Sequence, residues 1–427
     1  KEDSRRDRSA KATVQAILVG MQWLQLNYDE GPFYQTDRMD RYAEVIQTLL
    51  DQGDAYYCYC SKQELNELRE QQMAAKQKPR YDGRYRDFTG SPPEGVKPVI
   101  RFRNPLEGSV VIEDQVKGRV EIQNSELDDL IIARSDGSPT YNLTVVVDDL
   151  DMKITHVVRG DDHLNNTPRQ LNILKALGQS APIYAHVPMI LGEDGKRLSK
   201  RHGAVSVMQY AEDGFLSEAL MNYLVRLGWS HGDQEMFTRE QMIDLFSLDG
   251  INRAPSTFSP KKLQWLNEQY LKSSEPAEIA SLIEQQLLAS GIDTSAGPDP
   301  EAVVVALRER SKNLNDMAVT ARWFYQLPDG YDEKAAKKQF TAESAEVLAG
   351  FKQRISEISA WDQDNLKQAV AAHADAQGLK MGQVGMPLRI ALTGGTNSPD
   401  IGLTLALIGR ESVIQRLDKA VEFIQCQ

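Results

Sequence analysis

Residues 154–178 read ITHVVRGDDHLNNTPRQLNILKALG. The β-branched start of this stretch ends on Arg159 and Gly160 and gives way to two acidic residues. Thr167 then stands as a candidate N-cap, Pro168 fits the first helical position, and Gly178 falls just past the helical spacing. Strand, loop and helix in that order make one α/β unit. Just upstream, YNLTVVVDD at 141–149 reads as a second buried parallel strand.

Working outward, residues 12–26 carry a helical stripe at Ile17, Met21 and Leu24, and 37–52 repeat it at Tyr42, Ile46 and Leu49. Gly53 is placed to end the second helix, and Ser61 with Glu64 has the spacing of a capping box that opens a third. Residues 98–123 change character: β-branched runs with turn residues between them predict a small antiparallel sheet. An antiparallel block between helices and resumed strands predicts a nucleotide-binding sheet split by an insertion. From about residue 260 the pattern is helical, broken near 296–300, 328–330 and 385–399.

A chain of 427 residues should hold two or three domains. Its formal net charge is −12, so a nucleic-acid partner needs local basic faces on an acidic whole. No apolar run approaches the roughly 20 residues of a membrane-spanning helix, and no membrane role is expected. Cys58, Cys60 and Cys426 are too few and too unevenly placed for a disulfide framework, which points to a reducing cytoplasm.

The stretch EDGKRLSKRHG at 193–203 sets Lys196, Arg197, Lys200 and Arg201 between two glycines. It is no P-loop, because Gly195-Lys196 is followed by Arg197 and no glycine stands five residues before Gly195. From its residues alone it is a basic, glycine-flanked loop, to be read either as a solvated charge cluster or as a site for an anion.

KRLSKR resembles the KMSKS loop of class I aminoacyl-tRNA synthetases, with Arg197 at the first lysine, Leu198 at the methionine, Ser199 at the serine and Lys200 at the second lysine. With YDEGPFYQ (28–35), SDGSPTYN (135–142), VVRGDDHLNNTPRQ (157–170) and NYLVRLGWSHGD (222–233), the chain resembles bacterial glutamyl-tRNA synthetases from residue 2 to its C-terminal region. The resemblance implies an α/β Rossmann-like catalytic domain with an α+β insertion, followed by an all-α anticodon-binding domain. It places catalytic segments at 1–54 and 141–185, an acceptor-arm-binding insertion at 55–140, a stem-contact region with the KMSKS-like loop at 186–270 and the anticodon-binding domain at 271–427.

The implied reaction joins L-glutamate to ATP as glutamyl-adenylate, then to the 3′ terminal adenosine of tRNA(Glu). ATP enters as a substrate with Mg2+, and a cytoplasmic monomer is expected. The resemblance assigns Lys200, Arg197 and Ser199 to catalysis, with Lys200 and Asp162 on ATP. Glu2, Tyr141 and Arg159 hold the substrate glutamate, a guanidinium being able to bond a carboxylate twice. Arg389, in QVGMPLRIALTGG (383–395), becomes a candidate anticodon contact.

Several positions depart from the family pattern. Asp161 stands where glutamate is commoner, and Arg5 where the element after Glu2 and Asp3 usually has aspartate. The family's first strand and HIGH-type segment are expected before residue 2, so an N-terminal segment is expected to be missing and the chain as written is not expected to form adenylate. Cys58, Cys60 and Tyr81 match part of a zinc site, but Tyr85 replaces the next cysteine and Asp87 is a weak substitute, so zinc is not expected. Two rival readings stay open: a non-catalytic tRNA-binding derivative of a synthetase, and a glutamyl-queuosine tRNA(Asp) synthetase, a family that lacks the helical C-terminal domain.

Overall fold

The computed structural model describes residues 11–199 and 206–426. Two compact units emerge, one built from the chain up to Met208 with Leu224–Ser259, the other from Gln209–Tyr223 with Pro260–Gln427.

In the first unit, α1 (Lys11–Trp23) and α2 (Met39–Asp51) lead into strand β1 (Ala55–Cys58). Tyr42, Val45, Ile46 and Leu49 bury one face of α2, and Gly53 closes it at φ 80°. The stripe expected on α1 is not a buried face: Leu24 is covered, but Ile17 is 59 % exposed. Ser61 caps α3 (Lys62–Ala74) with the expected box to Glu64.

The antiparallel block is two pieces rather than one sheet. Strand β2 (Val99–Phe102) lies between β1 and β5 (Ile131–Ala133), while β3 (Ser109–Asp114) and β4 (Gly118–Gln123) form a separate hairpin. The β1 pairing draws β2 away because Phe102 joins a core with Ile46, Leu49 and Ile132.

The apolar run at 141–149 is helix α4 (Tyr141–Asp151), not a strand. Leu143, Val146 and Val147 recur at helical spacing and fill that same core, so packing overrides the β preference of the three valines. Asp148 clinches the helical register. It is fully buried and accepts from Gln35 Nε2 at 2.7 Å, Tyr42 Oη at 2.8 Å and Arg38 Nε at 2.9 Å. A strand would have turned alternate residues the other way and left those donors unmatched.

The α/β unit is formed as expected: β6 (His156–Gly160), a short 3-10 turn, then α5 (Thr167–Ala176). β6 pairs in parallel with β7 (Ile183–Val187), and Arg159 lies in register with His186. Asn166, not Thr167, occupies the N-cap position, because the Thr167 hydroxyl is engaged elsewhere. Helices α6 (Val207–Glu212), α7 (Ser217–Gly228) and α8 (Arg239–Leu245) follow.

The second unit is helical: α9 (Pro260–Ser273), α10 (Pro276–Ala289), α11 (Pro300–Leu307), α12 (Leu314–Tyr325), α13 (Glu333–Gln339), α14 (Ala342–Ser356), α15 (Gln363–Ala376), α16 (Met381–Thr393), α17 (Ile401–Ile408) and α18 (Arg410–Gln425). Its core gathers Met317, Phe351, Leu366, Leu388, Leu405 and Leu417, all essentially without solvent contact. The sequence breaks near 296–300 and 328–330 fall between helices, whereas the break expected at 385–399 is helical as far as Thr393, with Pro387 inside α16, and only the residues after it separate α16 from α17.

Candidate active site

Ligands of α/β sheets gather at the carboxyl ends of the strands, and β6 and β7 end side by side on Gly160 and Val187. Arg159 sits one residue before the end of β6. Its Nη2 donates to Thr167 Oγ1 and to Gln170 Oε1, both at 2.8 Å, while its Nε donates to His186 Nε2 at 3.2 Å. Gln170 passes the chain of bonds on to Asn142 Oδ1 at 3.0 Å. The arginine is thus braced from α5 and β7 rather than paired with a structural carboxylate.

His186 is fully buried, with Nδ1 2.6 Å from Asp114 Oδ2 at the end of β3. Burial pulls its pKa below the ordinary value, although the bond to Asp114 and that carboxylate's charge push the other way. Burial likewise works against ionisation of Asp114. Backbone N–H groups of Lys117, His186 and Val116 with the His186 ring outweigh it and hold the carboxyl below its usual range. The adjacent turn adds Lys117 Nζ, 2.8 Å from Asp161 Oδ2.

Gly160 makes room for the acidic loop: a Cβ there would meet Asp162 Oδ1 at 2.7 Å. Asp162 in turn faces Arg197 Nη2 at 3.4 Å. Tyr141, exposed at the first turn of α4, places its hydroxyl 3.3 Å from His163 Nδ1. The 159–167 segment therefore touches or carries four of the expected residues: Arg159, Tyr141, Asp162 and Arg197.

Arg197 belongs to a tight hairpin. Leu198 N donates to Ile190 O at 2.9 Å, Gly192 N to Lys196 O at 2.7 Å, and Gly195 turns the chain at φ 73°. Asp194 Oδ1 accepts the Lys196 N–H at 3.0 Å, which fixes the tip. Leu191 N, bonded to Ser256 O at 2.9 Å, anchors the base. Ser199 is half-buried just beyond. Lys200 and Glu2 lie outside the described residues, as does Arg201.

The residues of the possible zinc site do not fit a metal. The Cys58 thiol donates to Tyr81 Oη at 3.4 Å, and the same oxygen accepts the Tyr85 N–H at 3.0 Å. Burial, then Glu64, pushes the Cys60 thiol up to about 11, so it keeps its proton. The Arg101 guanidinium lies 3.8 Å from the Tyr81 ring centre, where a second cation would be repelled, and Asp87 pairs with Arg103 at 2.9 Å. Among the described residues no three histidine, cysteine or acidic side chains form a metal-binding group.

In the second unit Arg389 is half-buried, and its Nη1 donates to Ser398 O at 2.6 Å, to Pro399 O at 2.8 Å and to the Ser398 hydroxyl. Arg310 Nη1 reaches the same Ser398 carbonyl at 2.9 Å. Burial first, and Arg310 second, lower the Arg389 pKa, a sign of two guanidinium groups converging on one turn.

Sequence reasoning missed His186, Asp114, Thr167 and Gln170. A histidine inside the apolar run IYAHV was the one available hint. Asp114 carried none, because its partner stands 72 residues away.

A parallel strand pair carrying a braced arginine stands beside a cationic hairpin, an arrangement in keeping with class I aminoacyl-tRNA synthetases. The chain belongs to that family: residues 1–265 match tRNA synthetases class I (E and Q), catalytic domain, and residues 266–421 match the anticodon binding domain. It is 57 % identical over 427 residues to glutamate–tRNA ligase 1 of Alkalilimnicola ehrlichii, covering 100 % of this chain and 90 % of the relative. Glutamate–tRNA ligase 2 of Halorhodospira halophila is 55 % identical over 426 residues, 99 % of this chain and 90 % of its own. A crystal structure of a glutamate tRNA ligase from Elizabethkingia meningosepticum, in complex with its amino acid, superposes with a TM-score of 0.84 at 30 % identity, covering 99 % of this chain and 92 % of that one.

Proposed function

We propose that this protein is a glutamate–tRNA ligase. The glutamate α-carboxylate attacks the α-phosphorus of ATP, pyrophosphate leaves, and glutamyl-adenylate forms. A ribose hydroxyl of the terminal adenosine of tRNA(Glu) then takes the glutamyl group and AMP departs. The observation that carries this reading is Arg159: a guanidinium braced on two sides at the end of β6, ready for a carboxylate.

No protein nucleophile is required, so the residues act by placement and charge. Arg159 and the Tyr141 hydroxyl hold the glutamate side chain, and Glu2 takes its ammonium group. Asp162 accepts from the adenosine. Arg197 and Lys200 neutralise the phosphates as negative charge moves onto the leaving pyrophosphate, with Ser199 in the same loop. Mg2+ arrives with the ATP phosphates.

Residues 55–140 form the acceptor-arm insertion, 186–270 the stem-contact region, and 271–427 the anticodon-binding domain. There Arg389 and Arg310 give the Ser398 turn a local positive field on a chain of net charge −12, which suits an approaching RNA loop. The protein works in the cytoplasm as a monomer. Among the described residues no helix is long and apolar enough to cross a membrane.

Charging of tRNA(Glu) with radiolabelled glutamate by the full-length polypeptide tests the assignment. Glutamyl-tRNA should accumulate only with ATP present, and an Arg389→Ala variant should raise the KM for tRNA while leaving the KM for glutamate in place. Tight tRNA binding without any charging would instead favour the non-catalytic reading.

A further inference from the structure

Outside the residues assigned above, the most completely buried titratable pair near the site is His186 with Asp114. Neither side chain has solvent contact, and neither has a place in the chemistry just described. We propose that His186 is a positioning residue: a neutral imidazole, protonated on Nδ1, whose Nε2 lone pair steers Arg159 toward the substrate carboxylate. The proposal deepens the glutamate reading and rests on it.

The hydrogen-bond inventory sets the tautomer. A carboxylate that keeps its charge accepts only, so the 2.6 Å contact from His186 Nδ1 to Asp114 Oδ2 needs a proton on Nδ1. Arg159 Nε only donates, so the 3.2 Å contact to Nε2 needs a bare lone pair there. An imidazolium breaks the bond to Arg159, and the other tautomer breaks both. The lowered pKa of His186 agrees with a neutral ring.

The bond inventory of the guanidinium gives the direction. Nε is held by His186 and Nη2 by Thr167 and Gln170, while Nη1 has no acceptor among the described residues. The edge that carries Nη1 is therefore the one presented to a ligand, and its angle is set by the imidazole behind it. Thr167 closes the triangle, its Oγ1 lying 3.0 Å from His186 Nε2 and 2.8 Å from Arg159 Nη2.

Asp114 explains why the β3–β4 hairpin matters to this geometry. Its Oδ1 accepts the N–H groups of Val116 at 3.0 Å and Lys117 at 2.8 Å, so the carboxylate is fixed by its own turn. It also accepts the His186 backbone N–H at 3.1 Å, which holds strand β7 and the ring together. A hairpin of the insertion thereby sets the aim of an arginine on a catalytic strand.

Three variants and one spectrum test this. In protein labelled with 15N-histidine, His186 should show the Nδ1-protonated neutral pattern at pH 7.5, and Asp114→Asn, whose amide donates toward Nδ1, should move the proton to Nε2. In glutamate-dependent pyrophosphate exchange with tRNA present, Asp114→Asn and His186→Leu should raise the KM for glutamate about tenfold, the loss of one hydrogen bond to a charged group, with kcat and the KM for ATP held within about twofold. His186→Gln keeps an acceptor for Arg159 and should stay within about threefold of the parent. An Nε2-protonated or charged ring in the parent, or equal impairment by glutamine and leucine, overturns the proposal. If the full-length parent charges no glutamate at all, the functional reading fails, and the spectrum still decides the tautomer.

Discussion

Arg197 Nη2 stands 3.4 Å from Asp162 Oδ2, linking the cationic hairpin to the acidic loop that follows the braced arginine. The two side chains are well exposed, so their mutual attraction adds no more than about 1 kcal/mol to stability. On the proposed function its worth lies in placement: the hairpin stands beside the site before any phosphate arrives, and a triphosphate is expected to draw Arg197 away from Asp162.

Exchange of this arginine should therefore act on chemistry and leave folding alone. Arg197→Ala is expected to lower kcat in pyrophosphate exchange about tenfold and Lys200→Ala about a hundredfold or more, in keeping with the removal of a cation from a developing charge. Thermal midpoints of both variants should match the parent within a degree or two. Steady-state kinetics against ATP and a melting curve check this pair of expectations, and an unaltered kcat for Lys200→Ala would remove the loop from the mechanism.

Gly160 offers a second handle. The Cβ of Gly160→Ala would sit 2.7 Å from Asp162 Oδ1, and the flexible carboxylate must swing aside. A KM for ATP raised about fivefold is expected, roughly 1 kcal/mol of lost contact, with the KM for glutamate changed far less. A variant that loses both affinities together would show that the backbone, not the carboxylate, gave way.

The Cys58–Tyr81 cluster should be indifferent to metal. Treatment with a strong chelator is expected to leave the melting temperature unchanged, and elemental analysis of purified protein should find well under one zinc per chain. Because the Cys60 thiol is pushed up to about 11, its alkylation at pH 8 should run far slower than that of an ordinary exposed thiol. Stoichiometric zinc with a chelator-sensitive melt would contradict the hydrogen-bonded cluster.

His186 predicts how acid acts on the fold. Its pKa is lowered in the folded protein, so between the unfolded value near 6.5 and the folded one only the unfolded chain takes up the proton. Stability should be fully present above about pH 6.5 and fall below it by at most about 1.4 kcal/mol per pH unit from this group. The groups around the ring are Asp114, Asp161, Arg159 and the stacked Tyr184, and the two aspartates oppose the trend. Asp114, whose own pKa is lowered, adds its loss only at more acidic pH, below the ordinary carboxylate value, where the unfolded chain takes up the proton and the loss is complete once the folded carboxyl protonates too. Melting curves of the parent and of His186→Gln between pH 7.5 and 5 should converge toward the acid end. Parallel curves would mean that the ring does not titrate with unfolding.

Local chemistry decided much of this protein. The capping box at Ser61, the stop at Gly53, the strand–loop–helix of 154–178 and the bounded basic loop all act within a few residues, so they are legible along the chain. The type of residue at Arg159, Asp162, Tyr141 and Arg197 was equally visible. Long-range packing decided the rest. Three consecutive valines favour a strand until the buried Asp148 must meet Gln35, Arg38 and Tyr42 from more than a hundred residues away, and only a helix presents it to them. The tautomer behind Arg159 likewise depends on a carboxylate delivered by a distant hairpin. Hydrogen-bond partners that are remote in sequence leave no local pattern, because their pairing energy appears only when the chain has folded and water is gone.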